Sequence, residues 1–507
     1  MFSGLGRRIY LLNLNLLASA GIRDFYQKDF CGTPVWLEFK QRLEDFAISL
    51  RSDNNTHALS EFTGTTLKSL IQGPDSQFSC STALASASRL LAVAYERQGN
   101  SIRSLRALQV ASIFAAYDFQ MKGQEWIDNS AWPIRWTDSV DEVVRTMQAH
   151  ILMDRNRDFS ARTLTSGITP VRGMRIAVVS VCDYDPRLTP LGSLSFMNKQ
   201  QYAKKHRYEL ILYNKAPQFQ DYFTDNGGIY PSRPHAWSKI DALLKAMVEA
   251  EEDTDWIMWM DCDSFFLDQD VALEQMIAAA EQERAVVRTE DDKRMSLDNI
   301  LALSKWVPED SREAVSSFEE VARAFVRAES DITKEHNPTL NCTSEGDPLL
   351  THSVTELIAS EDGLMLNTGI FFARRSVFAY YFLWKVRALT FGHHPITFHP
   401  WWEQTGMMML IALPFVFDDT LWALTNRHGV GPYVSFLSQK QLNTYPPMIA
   451  GMLRTHAAYS PGDFIISFSG CRVYTSQSVC NHLFMEYFLK AAGARIPQHI
   501  VDEFNEY

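Results

Sequence analysis

Apolar positions change their spacing along this chain, and the change divides it. Ahead of residue 170 the period is helical. Val140, Val143, Val144, Met147 and Ile151 fall on one helix face, and the Ala- and Leu-rich stretches 82–97 and 102–120 also suit helices. Residues 155–173, with Thr, Ser, Pro and Gly, read as a boundary. From Met174 short apolar strands alternate with helical runs. RIAVVSV (Arg175–Val181) predicts a buried strand, SLSFMNKQQYAKKH a helix, and YELILYN (Tyr208–Asn214) a second strand. HAWSKIDALLKAMVEA places Ile240, Leu243, Leu244, Met247 and Val248 at helical spacing, and Trp256 to Met260 forms a third strand. Strand, helix, strand, helix, strand predicts a parallel sheet with helical crossovers. The loops after the first and third strands then open on its carboxyl edge, where such sheets bind ligands. Further on, LMLNTGIFFAR predicts a strand, followed by a helix capped by Ser376. Residues 270–355 are polar and read as an insertion holding one helix through Val315, Phe318, Ala322 and Phe325. The stretch from Trp401 to Cys480 reads as aromatic and loop-rich.

The third strand delivers Asp261-Cys262-Asp263 to that edge. Two carboxylates one residue apart can share a hard divalent cation, which in turn neutralises a diphosphate. An isolated pair of this kind is more often two solvated acids, so the flanking residues carry the weight. A phosphatase using the same motif would need a small Thr or Val four residues after the first Asp, where this chain has Phe265.

Composition narrows the partners. The 507 residues suffice for more than one core, and 12 Trp, 18 Tyr and 31 Phe suit a sugar-handling protein or simply a large core. A net charge of −12 without a long Lys/Arg run argues against nucleic acid, and requires local charge or a metal to hold an anionic donor. Seven cysteines include no CxxC pair, which removes support for structural zinc. They are compatible with one or two disulfides, Cys471 and Cys480 being the closest pair. Arg7 and Arg8 precede IYLLNLNLLASAG, which reads equally as a signal or short anchor and as a helix packing on the protein. Sequons at Asn54 and Asn341 lean toward a secretory route. His393, His394 and His399 match no zinc-helix spacing and read as a packed loop beside Trp401 and Trp402. Those tryptophans suit sugar stacking or the core alike, and Arg374 and Arg375 suit a phosphate contact or a solvated strand end alike.

Six pieces in order resemble glycosyltransferase family 34: MNKQQYAKKHRYEL, HAWSKIDALLKAM with DWIMWMDCDSFFLD, ELIASEDGLMLNTGIFFARRS, WWEQTGMM, QKQLNTYP and GDFIISFSGC. The resemblance spans roughly residues 174–482 and leaves the N-terminal region uncovered. It implies an α/β fold of the GT-A type, a Rossmann-like mixed sheet flanked by helices and preceded by a mostly helical region. The expected organisation is a signal or anchor over 1–29, a helical stem or accessory domain over 30–170, a GT-A domain over 171–485 with its insertion at 270–355, and a tail over 486–507.

The same resemblance implies a retaining, α-linking transferase. It would move a hexose or pentose from a nucleotide-sugar donor, a UDP-sugar rather than GDP-mannose, to a glycan acceptor. It implies Mn2+ or Mg2+, a membrane-associated Golgi location, and homo- or hetero-oligomers. Asp261 and Asp263 would hold the metal against the diphosphate, and Asp183, Lys239, Asp463 and Gly470 would contact the donor. Asn367, Glu403 and Gln404 would line the sugar and acceptor pocket. The family's third metal ligand is a His, and Ser467 stands in its place; a hydroxyl is the poorer ligand, and His456 is an alternative. Trp402 stands where plant members tend to carry a further acid. The serine keeps a second reading open: an inactive subunit scaffolding partner transferases.

Overall fold

The computed structural model describes residues 41–42, 81–97, 101–122, 161, 165–168, 173–214, 235–285, 355–362, 365–388, 399, 401–417, 434–453 and 457–492. The chain divides into two compact units, residues 1–152 with 218–237 and 389–429, and residues 153–217 with 238–388 and 430–507. The segment 9–21, both sequons, the Val140 to Ile151 run, the Val315 to Phe325 run and His456 lie outside the described residues. Among the described residues no helix is long and apolar enough to cross a membrane.

In the first unit, α1 (Ser81–Arg97) and α2 (Ser101–Lys122) pack on one another, as the Ala- and Leu-rich spacing predicts. Leu91, Val93, Leu108, Ile113 and Phe114 are buried, and the Ser104 hydroxyl donates to the Ala92 carbonyl at 2.7 Å.

The second unit is built on β1 (Ile176–Val181), α3 (Leu191–His206), β2 (Glu209–Tyr213), α4 (Ser238–Glu249) and β3 (Trp256–Met260). A short β4 (Ser264–Phe266), α5 (Leu273–Ala285), β5 (Leu357–Asp362), β6 (Met365–Arg374) and α6 (Val377–Ala388) follow. Next in the chain, α7 (Trp402–Phe417) belongs to the first unit and packs on α2. The second unit resumes with β7 (Val434–Leu437), α8 (Gln439–Leu442), α9 (Pro447–Leu453), β8 (Ile465–Ser467), α10 (Cys471–Tyr474) and α11 (Gln477–Ala492).

The main sheet runs β2-β1-β3-β6-β5-β7. β1 is parallel to β2 and β3, as predicted, whereas β6 is antiparallel to both β3 and β5, and β7 is parallel to β5. Its central strands are apolar on both faces because both are covered. On one face Val178, Met258, Met260 and Phe372 meet Tyr202, Phe266, Met276 and Ile277. α4 packs over β1 and β3 with Ile240, Leu243, Leu244 and Met247 buried, while Val248 is exposed. The chain leaves β1 toward β2 on one side and reaches β3 on the other. The topological switch point therefore lies between the carboxyl ends of β1 and β3, where open α/β sheets form their binding crevice.

Two boundaries differ from expectation. The polar insertion begins later than residue 270, because α5 buries Leu273, Met276 and Ile277 in the core. α11 runs through residue 485 to Ala492, because Phe484, Tyr487 and Phe488 pack under β4 and β8 beside Phe265 and Phe468. The stretch after Trp401 also contains a 16-residue helix in place of loop. Ser376 caps α6 as predicted, its hydroxyl accepting from Ala379 N at 3.1 Å.

Candidate active site

β3 is buried throughout, and its last peptide hands Asp261 to the switch point. Asp261 N donates to the Gly369 carbonyl at 2.8 Å, so the start of β6 stands opposite the acid. The Asp261 carboxylate is held from three directions. Trp259 Nε1 donates to Oδ1 at 2.7 Å, Lys239 Nζ lies 3.0 Å from the same oxygen, and a Cβ on Gly369 would stand 3.2 Å from Oδ2. Only glycine lets the β6 backbone approach that closely. Lys239 also donates to the Thr368 carbonyl at 2.8 Å, and its side chain is only 8% exposed. The sequence-based pairing of Lys239 with the acid pair thus has a direct geometric counterpart.

Asp263 follows one residue later. Burial raises its carboxyl above the ordinary range, the Asp261 charge raises it further, and Lys199 and Lys239 oppose both. A carboxylate pair that resists double ionisation gains from a divalent cation placed between them. The donors are all oxygens, which suits Mg2+ or Mn2+. Among the described residues no cluster of three or more His, Cys, Asp or Glu could hold a metal. The residues fit a hard cation whose remaining positions are filled by hydroxyl, water or phosphate oxygens.

β8 brings the closing segment alongside. Ser467 pairs with Ser264 in the β4–β8 ladder, and Phe468 N donates to the Asp263 carbonyl at 2.8 Å. Ser467 is buried, with its hydroxyl 2.9 Å from that of Ser469. Gly470, at φ 78°, turns the chain into α10. Arg472, exposed on α10, lies 4.8 Å from the centre of the Tyr184 ring. The Tyr184 phenol is pushed well above its usual range by burial, then by the charges of Asp263 and Asp261, with Arg472 opposing. Tyr184 and Arg472 therefore share the electrostatic environment of the acid pair, and neither was singled out from sequence.

The remaining expected residues have the following surroundings. Asp183 is exposed at the end of β1. Asn367 donates to the Tyr445 hydroxyl at 3.1 Å and accepts from Gly369 N at 2.9 Å, which ties β6 to the segment after α8. Asp463 is buried in an ion pair with Lys440 at 2.7 Å and accepts from Ser460 N at 2.6 Å, so its charge is committed within the closing segment. Glu403 and Gln404 lie in the first turn of α7, in the other unit. Arg374 packs on Trp256 and pairs with Glu281 at 3.1 Å, while Arg375 donates to the carbonyls of Met247, Glu251 and Glu252 at the end of α4. Arg374 pairs in register with Trp256, the first residue of β3, which removes it from the carboxyl edge. His399 is buried, with Nε2 donating to the Ile113 carbonyl at 2.9 Å and Nδ1 accepting from Thr405. It is a packed core histidine, as its spacing suggested.

Three features under the acid pair escaped sequence reasoning. A disulfide joins Cys182 at the end of β1 to Cys262, the residue between the two acids. Asn198 brackets the β4 backbone, donating to Phe266 O at 2.9 Å and accepting from Phe266 N at 2.7 Å. Its neighbour Lys199 is fully buried and donates to the carbonyls of Asp261 at 3.1 Å, Cys262 at 3.4 Å and Ser264 at 3.0 Å. Burial pulls its amine down to about 7, and the charges of Asp263 and Asp261 oppose the fall. The only available signal was the Asn-Lys pair of the first matching motif. The second disulfide is Cys471–Cys480, the pair closest in sequence.

Comparison with known proteins bears on the whole assembly. No curated protein matches the chain. Among solved structures, one glycosyltransferase involved in the glycosylation of the major capsid of PBCV-1 aligns over 62% of this chain and 99% of its own, at 9% identity and a TM-score of 0.31, too low to carry weight. The model of the galactosyl transferase GMA12/MNN10 family matches residues 175–478, more than half of the chain and every element from β1 into α11. With that span matched in order and an acid pair at the switch point of a mixed α/β sheet, the chain belongs to the galactosyl transferase GMA12/MNN10 family and is a glycosyltransferase.

Proposed function

We propose that this glycosyltransferase moves a hexose or pentose from a UDP-sugar to a glycan acceptor with retention of configuration, in a reaction that needs Mn2+ or Mg2+. The observation that carries this reading is the carboxylate pair Asp261 and Asp263 at the switch point, one acid oriented by Lys239 and Trp259, the other raised by its neighbour. A cation bound there supplies charge neutralisation of the diphosphate. Lys239 keeps Asp261 ionised and oriented, and the exposed Arg472 offers a guanidinium to the departing phosphates.

Retention requires the acceptor hydroxyl to approach the face from which the diphosphate leaves. The bond between the sugar's anomeric carbon and the phosphate oxygen breaks, and its electron pair leaves with the diphosphate. The acceptor oxygen bonds to that carbon, and its proton passes to the departing phosphate oxygen. Preorganised charge at the leaving group favours this ion-pair-like displacement. Following the family resemblance, Gln404 supports the oxocarbenium-like sugar, Glu403 positions the acceptor and Asn367 borders the pocket. Ser467 offers a hydroxyl at the position of the third ligand. A Golgi location with membrane association completes the reading.

The test is nucleotide release by purified protein with Mn2+ and each of UDP-Gal, UDP-Xyl, UDP-Glc and GDP-Man. One UDP-sugar should be turned over and chelation should stop it. Asp263→Asn should lower the rate by about a hundredfold or more. Silence with every donor, together with no Mn2+-dependent nucleotide binding, would overturn the proposal.

A further inference from the structure

The turn bearing the acid pair is held from beneath by a closed ring of side chains. Lys199 Nζ meets the Cys262 carbonyl at 3.4 Å, Cys262 is bonded to Cys182, the Cys182 sulfur lies 3.6 Å from Ser195 Oγ, and Ser195 Oγ accepts from Lys199 Nζ. Ser195 and Lys199 are one turn apart on α3 and both are fully buried. We propose that Lys199, completed by Ser195 and the Cys182–Cys262 disulfide, is a positioning residue that fixes the Asp261–Asp263 turn in the shape that accepts a divalent cation.

The physical case rests on where the carbonyls point. Three peptide oxygens, those of Asp261, Cys262 and Ser264, converge on one ammonium. Three acceptors require three N–H donors, which an ammonium supplies and no other side chain provides from a single atom. With the carbonyls drawn inward, the side chains of Asp261 and Asp263 are left to the opposite side of the turn, toward the crevice. Asn198 continues the clamp by bracketing Phe266, so α3 grips the backbone from residue 261 to 266. Without the lysine, three buried carbonyls lose their donor and the turn must rearrange to find others. The disulfide acts on the same turn from β1, across the seam between the two strands that define the switch point. None of these groups needs to touch the cation or the sugar. Their effect is on the geometry of the residues that do, as outer-shell partners act at other metal sites.

This inference rests on the metal-dependent reading above, and the experiment separates the two. Mn2+ binding to the full-length protein is measured by electron paramagnetic resonance of the free ion, alone and with UDP, for wild type, Lys199→Met and Ser195→Ala. Lys199→Met should weaken Mn2+ binding by about ten- to a hundredfold, and Ser195→Ala by a smaller factor. Turnover of Lys199→Met should recover at saturating Mn2+, so that the metal requirement rises while the limiting rate stays within about threefold of wild type. A merely structural lysine would lower the fraction of folded protein and leave the Mn2+ affinity of that fraction unchanged; that result would overturn the proposal. If Lys199→Met does not fold, Ser195→Ala and wild type treated with a dithiol carry the test. The dithiol is oxidised to its own disulfide as Cys182 and Cys262 become thiols. Both samples must bind Mn2+ more weakly than oxidised wild type, and unchanged affinity in both would overturn the proposal. Wild type that binds no Mn2+ with or without UDP would overturn the metal reading itself, and the positioning role with it.

Discussion

A few atoms decide the orientation of Asp261, and Gly369 is the most exposing of them to test. A methyl group there would stand 3.1 Å from Asn367 Oδ1 and 3.2 Å from Asp261 Oδ2, so one carboxylate or carboxamide must move. The Asp261 carboxylate is already pinned by Trp259 and Lys239, which leaves displacement of the turn as the outlet. Gly369→Ala should fold, lose roughly 1–3 kcal/mol of stability by overpacking, and bind Mn2+ about tenfold more weakly. Mn2+ affinity equal to wild type in the folded variant would show that the orientation of Asp261 is not critical. At this scale the sequence was informative where residues follow one another and silent where they meet across the fold. Asp261, Asp263 and Lys239 stand in recognisable local runs. Lys199 is separated by 62 residues from Asp261 and acts on backbone carbonyls, which leave no mark in a sequence. Asp463 was read as a donor contact, yet its partner is Lys440, and nothing in a sequence announces that a particular lysine neutralises a particular aspartate.

The strands of the second unit were legible because each is a short apolar run between polar breaks. The order β1, β2, β3 with intervening helices followed from those runs alone. The direction of β6 was not legible, since one strand reads the same in either orientation, and it is the antiparallel pairing that sets Thr368 and Gly369 against the acid turn. α7 was missed for a different reason. Met407, Met408, Met409, Ile411 and Ala412 are all buried, and a helix apolar all round has no polar face to reveal its period. The start of this helix carries a pH prediction. Burial holds His399 down to about 3, with the Ile113 hydrogen bond opposing, whereas an unfolded histidine titrates near 6.5. The folded value lies below the unfolded one, so the unfolded chain binds the extra proton between them. The stability contribution is complete above about pH 6.5 and declines as pH falls toward 3, by up to about 1.4 kcal/mol per pH unit from this group. Denaturant unfolding followed between pH 7 and pH 5 should show this slope, and His399→Gln should flatten it while costing about 1–3 kcal/mol at pH 7. An unchanged slope in the variant would assign the acid sensitivity to other groups.

For the molecule as a whole, charge sets the terms on which a donor can bind. The chain carries a net charge of −12, so its long-range field repels an anionic nucleotide. Locally, two acids, Asp261 and Asp263, face two cations, Lys199 and Lys239, and the four cancel when all are ionised. A divalent cation alone leaves this neutral site with two positive charges in excess, and a diphosphate alone leaves it with about two negative charges in excess. Bound together they restore neutrality, so each should raise the affinity for the other by the same factor, as linkage requires. The coupling should show in the stability of the folded chain, because a ligand that binds only the native state stabilises it according to its occupancy. Mn2+ alone and UDP alone should each shift the melting temperature little. Together they should shift it by more than the sum, the excess corresponding to roughly 1–3 kcal/mol of coupling, or several degrees for a unit of this size. Asp263→Asn removes one of the two negative charges and one of the two proposed ligands, so it should abolish the excess while leaving the small UDP shift in place. Additive shifts in the wild-type protein would mean that donor and metal bind without regard to each other, and the neutral four-charge arrangement would then have no bearing on how the donor is held.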